Sequence, residues 1–314
     1  MTLAIVGNGL AAANSISFGS YEQLGAPVTR DGATGDGVTQ RPRGRRHLVW
    51  WAITGVTAVG LVVVAVVGGA YLFRDSPDPK SVDRAVDDFR RNSGSSTPDT
   101  SSLRRPAAGV YEMQGTGGEK ISFPPNSQAD GATMPASVEH LPGNCFRWRV
   151  DYNEAHWQHQ EFCRDGNDLI IKSVRNYQRW DFGSIKVENT GDFTCDPPHR
   201  YPIGAPTGTA TTGSCTGGNT AVTGQVTITS RIEVAGREEL RIAGTEVATV
   251  HLKQRDQLTG AQEGEAVIDW WFEVRTGLPV RVERTLRLGS ASPIGTVTYT
   301  EEGQGQLTSL KPRQ

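Results

Sequence analysis

The chain has 314 residues, and its 32 Lys and Arg against 34 Asp and Glu leave a net charge of -2. That balance excludes a strongly basic nucleic-acid binder, and the length allows one large domain or two small ones. Only 36% of residues are apolar, yet one long apolar block interrupts a polar chain rich in Gly and Pro, which argues against a purely cytosolic globular enzyme.

The opening LAIVGNGLAAANS sets Gly7, Gly9 and Ala12 at the G-x-G-x-x-A spacing of a dinucleotide-binding turn. Such a turn needs a βαβ unit of about 30 residues with a second apolar strand. Residues 14–47 supply only Gly-rich, polar sequence, so the match reads as coincidence inside a disordered cytoplasmic arm, 1–47. Residues 48–73 carry no charge, with Trp50 and Trp51 at one end and Tyr71 at the other. That run exceeds the roughly 20 apolar residues a bilayer requires and has interfacial aromatics at its ends, which predicts a transmembrane helix. It is too long for the apolar region of a signal peptide. Arg41, Arg43, Arg45 and Arg46 precede it, whereas Arg74 follows with Asp75 and Asp78 close by. The positive-inside rule therefore puts the N-terminus in the cytoplasm and everything after residue 73 outside.

The cysteines point the same way. Cys145, Cys163, Cys195 and Cys215 all lie on the outer side, where an even count reads as two disulfides. A structural zinc site would show cysteine pairs separated by about two to four residues, and none occurs. Pairing in sequence order is expected.

Residues 74–108 read as a juxtamembrane helix and a flexible linker. Ser81 is an N-cap, Val82, Ala85, Val86 and Phe89 follow at helical spacing, and NSGSSTPDTSS continues as linker. From 109 to 314 the apolar period is two. Phe146, Trp148, Val150 and Tyr152 alternate with Arg147, Arg149 and Asp151. Val226, Ile228, Ile232 and Val234 repeat this, as do Ala266, Ile268, Trp270, Phe272 and Val274 before the turn Thr276-Gly277-Leu278-Pro279. Such alternation predicts an all-β extracytoplasmic domain of antiparallel strands, a curved half-barrel or a sandwich. Residues 203–220, rich in Thr and Gly, read as a loop tied down by Cys215. A Cys145–Cys163 bridge within one hairpin sets Arg147 opposite Glu161, Arg149 opposite His159, Phe146 opposite Phe162 and Tyr152 opposite His156, with the turn at 153–155. Opposite charges and aromatic pairs then coincide.

Catalytic signatures are scarce. His156 and His159 point to opposite faces of a strand and cannot share a metal, and no further ligand lies nearby in sequence, so a solvated strand face is expected. Glu238/Glu239 and Glu301/Glu302 read as ordinary surface charge. Of Trp270 and Trp271, one ring must enter the core. No G-x-S-x-G elbow, S-x-x-K or P-loop is present.

The runs RPAAGVYEMQGTGGEKISF, GNCFRWRVDYNEAHWQHQEFC, DFTCDPP and SCTGG resemble a family of actinobacterial single-pass membrane or secreted proteins of unknown function with a four-Cys β ectodomain. The ending WWFEVRTGLPVRVERTL is similar to the strand–turn–strand of periplasmic lipoprotein-carrier and mycobacterial lipoprotein domains. The second resemblance implies a half-barrel that holds acyl chains; the chain has no lipobox Cys, and neither resemblance supplies a catalytic residue.

The expected function is a non-catalytic, membrane-anchored binding module of the cell envelope. It has the bilayer as partner through 48–73, an envelope protein or a lipid-like ligand as further partner, and no nucleic acid, cofactor or metal. One alternative is a carrier or sensor of a lipid-like ligand held against Trp148, Ile228, Val250, Trp270 and Phe272. The other is an envelope enzyme without a recognisable motif.

Overall fold

A computed structural model describes residues 77–92, 105–183, 185–293 and 295–314. The cytoplasmic arm and the transmembrane span expected over 1–73 lie outside the described residues, as does most of the linker. Among the described residues no helix is long and apolar enough to cross a membrane.

Helix α1 (Val82–Asn92) begins where the sequence places its cap: the Arg84 amide donates to Ser81 Oγ at 3.2 Å. It is not a free stalk. Val82, Ala85 and Val86 are buried against Val110, with Phe89 beside them, and Lys80 pairs with Asp151 at 3.3 Å. Arg84 reaches Glu154, and Arg313 reaches Asp83.

The strands follow in meander order: β1 (Gly109–Ser122), β2 (Pro125–Ala129), β3 (Thr133–Leu141), β4 (Cys145–Asn153), β5 (His156–Asp165), β6 (Asp168–Asp181), β7 (Lys186–Tyr201), β8 (Ala210–Asn219), β9 (Val222–Ile242), β10 (Thr245–Gly260), β11 (Gln262–Glu273), β12 (Pro279–Ser292) and β13 (Gly295–Leu307). All pairings are antiparallel, and β13 returns to pair with β1 over Met113–Ile121. The half-barrel or sandwich is therefore corrected to a closed barrel of twelve strands, with β2 alongside the part of β1 that β3 leaves. Closure removes the unpaired edges an open sheet must protect. Its seam is glycine against glycine: Gly115 faces Gly305 and Gly117 faces Gly303. A Cβ on Gly115 would run into the Gln304 carbonyl and one on Gly117 into that of Glu302, so the two strands come together only because neither carries side chains there.

The β4–β5 hairpin has the register read from its charges. Cys145 opposes Cys163, Phe146 Phe162, Arg147 Glu161, Trp148 Gln160 and Arg149 His159. The Phe146 and Phe162 rings lie 5.6 Å apart, and Arg147 donates to Glu161 at 2.7 Å. The expected Tyr152–His156 pair is corrected: a bulge after Asp151 sets Asn153 against His156. There the Asn153 side chain accepts from the Ala155 amide and closes the turn, which shifts the last pair by one residue. The second bridge joins Cys195 to Cys215, again in sequence order. The loop expected over 203–220 is corrected in its second half, where β8 pairs with β9 along its whole length but with β7 over only four residues. Thr side chains suit a strand here, and the disulfide fastens the short β7–β8 contact.

Side chains at one end of the lumen pack solidly. Phe162 meets Tyr201 at 5.5 Å and Phe272 at 6.0 Å, and Tyr111 meets Trp148 at 6.3 Å.

Candidate functional site in the barrel lumen

Beyond that packed end the inward side chains turn polar. β12 contributes Arg284, whose Nη2 donates to Asp130 Oδ2 at 2.7 Å and whose Nε donates to Glu301 Oε1. Its guanidinium carbon sits 3.8 Å from the Tyr152 ring centre, a cation–π contact in a nearly dry setting. On β13, Tyr299 and Glu301 are alternate residues of one face, and the Tyr299 hydroxyl lies 2.8 Å from Glu301 Oε2. The same hydroxyl contacts Glu119 Oε2 of β1 and accepts from Gln178 Nε2 of β6 at 2.8 Å. Gln128 Nε2 of β2 donates to Glu119 Oε1. His156, first residue of β5, packs against Tyr152 with tilted rings 4.6 Å apart and holds Nδ1 3.5 Å from Glu119 Oε2.

Burial sets the protonation of this group. It pushes the Glu119 carboxyl up to about 8, with the neighbouring Glu301 charge adding to the effect. Burial also lowers His156 to about 4, so the imidazole is neutral at neutral pH. Glu301 is equally buried, and the lost solvation pushes its carboxyl up, but Arg284, His156 and the Tyr299 hydrogen bond together hold it below the ordinary value. For Asp130 burial wins over Arg284 and the shift is upward.

Next to the network is a cavity of about 130 Å3. His156, Arg284 and Glu301 are among its lining residues, Ile228, Leu258 and Ile268 supply apolar wall, and Ser230, Gln254 and Asp256 add further polar groups. Gln254 Oε1 accepts from the Tyr201 hydroxyl at 2.7 Å and from Trp270 Nε1 at 3.0 Å, while its amide nitrogen donates to Asp256. Burial raises the Asp256 carboxyl and lowers His199. Five of the lining residues carry a buried polar atom without a hydrogen-bond partner: His156 Nδ1, Gln160 Oε1, Asn176 Oδ1, His199 Nε2 and Arg284 Nη1. Each such atom costs roughly 1–3 kcal/mol.

The sequence-derived ligand face divides. Ile228 lines the cavity. Trp148, Val250 and Phe272 are packed into the filled core, and Trp270 is buried with its ring nitrogen on Gln254. Trp271 turns to the opposite face, where it stacks on His251 at 4.3 Å beneath Arg281. Two readings are overturned. Glu301 is not surface charge but buried on the lumen face, and His156 is not solvated but 2% exposed. Both were missed because their partners come from strands far away in sequence. The one available signal was parity: on an inward face, Tyr299 and Glu301 precede Gly303, Gly305 and the buried Leu307.

No family model and no curated protein matches the chain. Among solved structures, the hypothetical lipoprotein YmcC from Escherichia coli (K12) is a distant structural neighbour at a TM-score of 0.30 and 14% identity, over 76% of this chain and 98% of that one. A TM-score of 0.30 is too low to argue a shared fold or a shared role.

Proposed function

We propose that the chain is a non-catalytic envelope binding module that takes one small ligand, polar on one side and apolar on the other, into the lumen of its barrel. The observation that carries this is the convergence of buried, unpartnered polar atoms on a single cavity. A ligand that hydrogen-bonds Gln160, Asn176 and His199 while its apolar side lies on Ile228 and Ile268 would recover what their burial costs. The volume favours a molecule of about six non-hydrogen atoms, since an engineered apolar cavity of about 150 Å3 accepts benzene. An acyl chain would need the barrel to widen, so a lipid carrier is the less favoured form of this reading. The envelope location rests on the apolar run 48–73 and on the paired cysteines.

An envelope enzyme is favoured by one observation, the shifted Glu119 and His156 beside a cavity. Glu119, however, is not among the residues that line it, and a general acid or base must reach its substrate.

Small-molecule mass spectrometry of the denatured full-length chain, purified without dialysis, tests the proposal. One compound in stoichiometric amount is expected from wild type, and it is lost in Ile228→Phe, which fills the cavity. A chain that carries no compound, and that Ile228→Phe merely stabilises, would show the space to be a packing void.

A further inference from the structure

The inward faces of β1, β5 and β13 converge on a second arrangement that stands whether or not the lumen holds a ligand. We propose that Glu119, His156 and Glu301 bind one divalent transition-metal ion, with zinc the best fit, set into the wall of the lumen. Each residue offers one donor atom, and the three lie within 4.8 Å of one another. Tetrahedral zinc with bonds of about 2.0–2.2 Å puts its donors roughly 3.4 Å apart, so the three need to close by up to about 1.4 Å. A mixed set of imidazole nitrogen and carboxylate oxygens suits zinc.

Three features of the cluster favour a positive group between the carboxylates. First, Glu119 and Glu301 are directly opposed across the β1–β13 pair, an arrangement that destabilises a sheet when both are charged. Second, the Tyr299 oxygen touches both carboxylates while also accepting from Gln178. A phenol has one proton, so one of the two oxygen–oxygen contacts has none to share unless a carboxyl is itself protonated or a cation replaces the proton. Third, His156 Nδ1 is buried, has no hydrogen-bond partner, and faces Glu119 Oε2 at 3.5 Å. Charge agrees: Glu119, Glu301 and Asp130 confront a single guanidinium, Arg284, and a divalent ion brings the ionised set to neutrality. His156 and Glu301 both border the cavity, which has room for a water as a further ligand.

Equilibrium dialysis of the chelator-stripped full-length chain against Zn2+, with bound metal counted by elemental mass spectrometry, tests the site. All four cysteines are in disulfides, so no thiol competes. Wild type is expected to bind one Zn2+ per chain. Affinity should fall at least tenfold in Glu119→Gln and in His156→Gln, and stay unchanged in His159→Gln, which alters the histidine on the outer face of the same strand. His156→Gln breaks no hydrogen bond, so it keeps the test decisive if Glu119→Gln fails to fold. With Co2+ in place of Zn2+, the visible absorption should change in His156→Gln as an imidazole ligand is lost. Absence of stoichiometric zinc in wild type, or equal binding by wild type, Glu119→Gln and His156→Gln, overturns the proposal.

Discussion

Along β10 the inward side chains begin with Val250 and Leu252 and continue with Gln254 and Asp256; along β12 they begin with Val280 and Val282 and continue with Arg284. On β6, Leu169 and Ile171 give way to Asn176 and Gln178 in the same sense. One end of the lumen is thus a hydrocarbon and aromatic core, and the region beyond it is a buried polar network beside a cavity. The strands are shared, so the difference is a choice of side chain and not of backbone. The packed end meets the general requirement that a barrel of this size fill its interior. Buried ion pairs of this kind often stabilise no more than the same volume of hydrocarbon would, and the unpartnered polar atoms beside the cavity are the reason to propose function there.

Four measurements on the full-length chain break or sharpen this contrast. The largest effect belongs to the packed end. Phe272→Ala removes a fully buried ring that touches Phe162 and Tyr201, and should cost about 4 kcal/mol in urea unfolding. Arg284→Met strips Glu301 and Asp130 of their counter-charge and should cost about 3 kcal/mol. Adding Glu301→Gln to it should recover part of that loss, whereas an additive double variant would mean the two residues are not coupled.

The third effect is a pH dependence, read by thermal melts in metal-free buffer. His156 lies near 4 in the folded chain against an ordinary 6.5, so its contribution is lost as pH falls from 6.5 toward 4. Glu119 lies near 8 against 4.5; its contribution is full below 4.5 and is lost as pH rises toward 8. Between 4.5 and 6.5 the two slopes oppose. From 6.5 to 8 Glu119 acts without that opposition, and the melting temperature should fall across this window in wild type but stay flatter in Glu119→Gln. The smallest effect is Gln160→Leu, which replaces a buried amide whose oxygen has no partner. Without ligand it should stabilise by about 1 kcal/mol; a clear destabilisation would mean that the amide is satisfied by something held in the lumen.

The packed end was far more legible than the polar one. Alternation alone identified Trp148, Phe272 and Val226 as inward, because apolar residues mark a buried face wherever it lies. The β4–β5 register was readable because Arg147, Glu161 and the two phenylalanines are local in sequence and pair by charge and ring. Closure was not legible: the glycines at 115, 117, 303 and 305 look like weak strand residues until they are seen opposite one another. Glu119, Asp130, His156 and Glu301 come from four separate segments, and each taken singly resembles solvated charge. Their burial follows from strand parity and a ring of neighbours, both of which are properties of the assembled barrel.

The seam between β1 and β13 also dictates an order of events. Glu119, Gln128 and Asp130 lie near the start of the barrel, whereas Arg284, Tyr299 and Glu301 lie on its last two strands. Pairings of such long sequence separation form late and slowly. The polar network therefore cannot assemble from a partial chain, and the arrival of the final strand both seals the ring and neutralises its interior. Until then β1 and the growing sheet present open edges to any neighbouring chain. The glycine seam acts as a molecular clasp whose fastening separates a foldable monomer from an aggregation-prone ribbon.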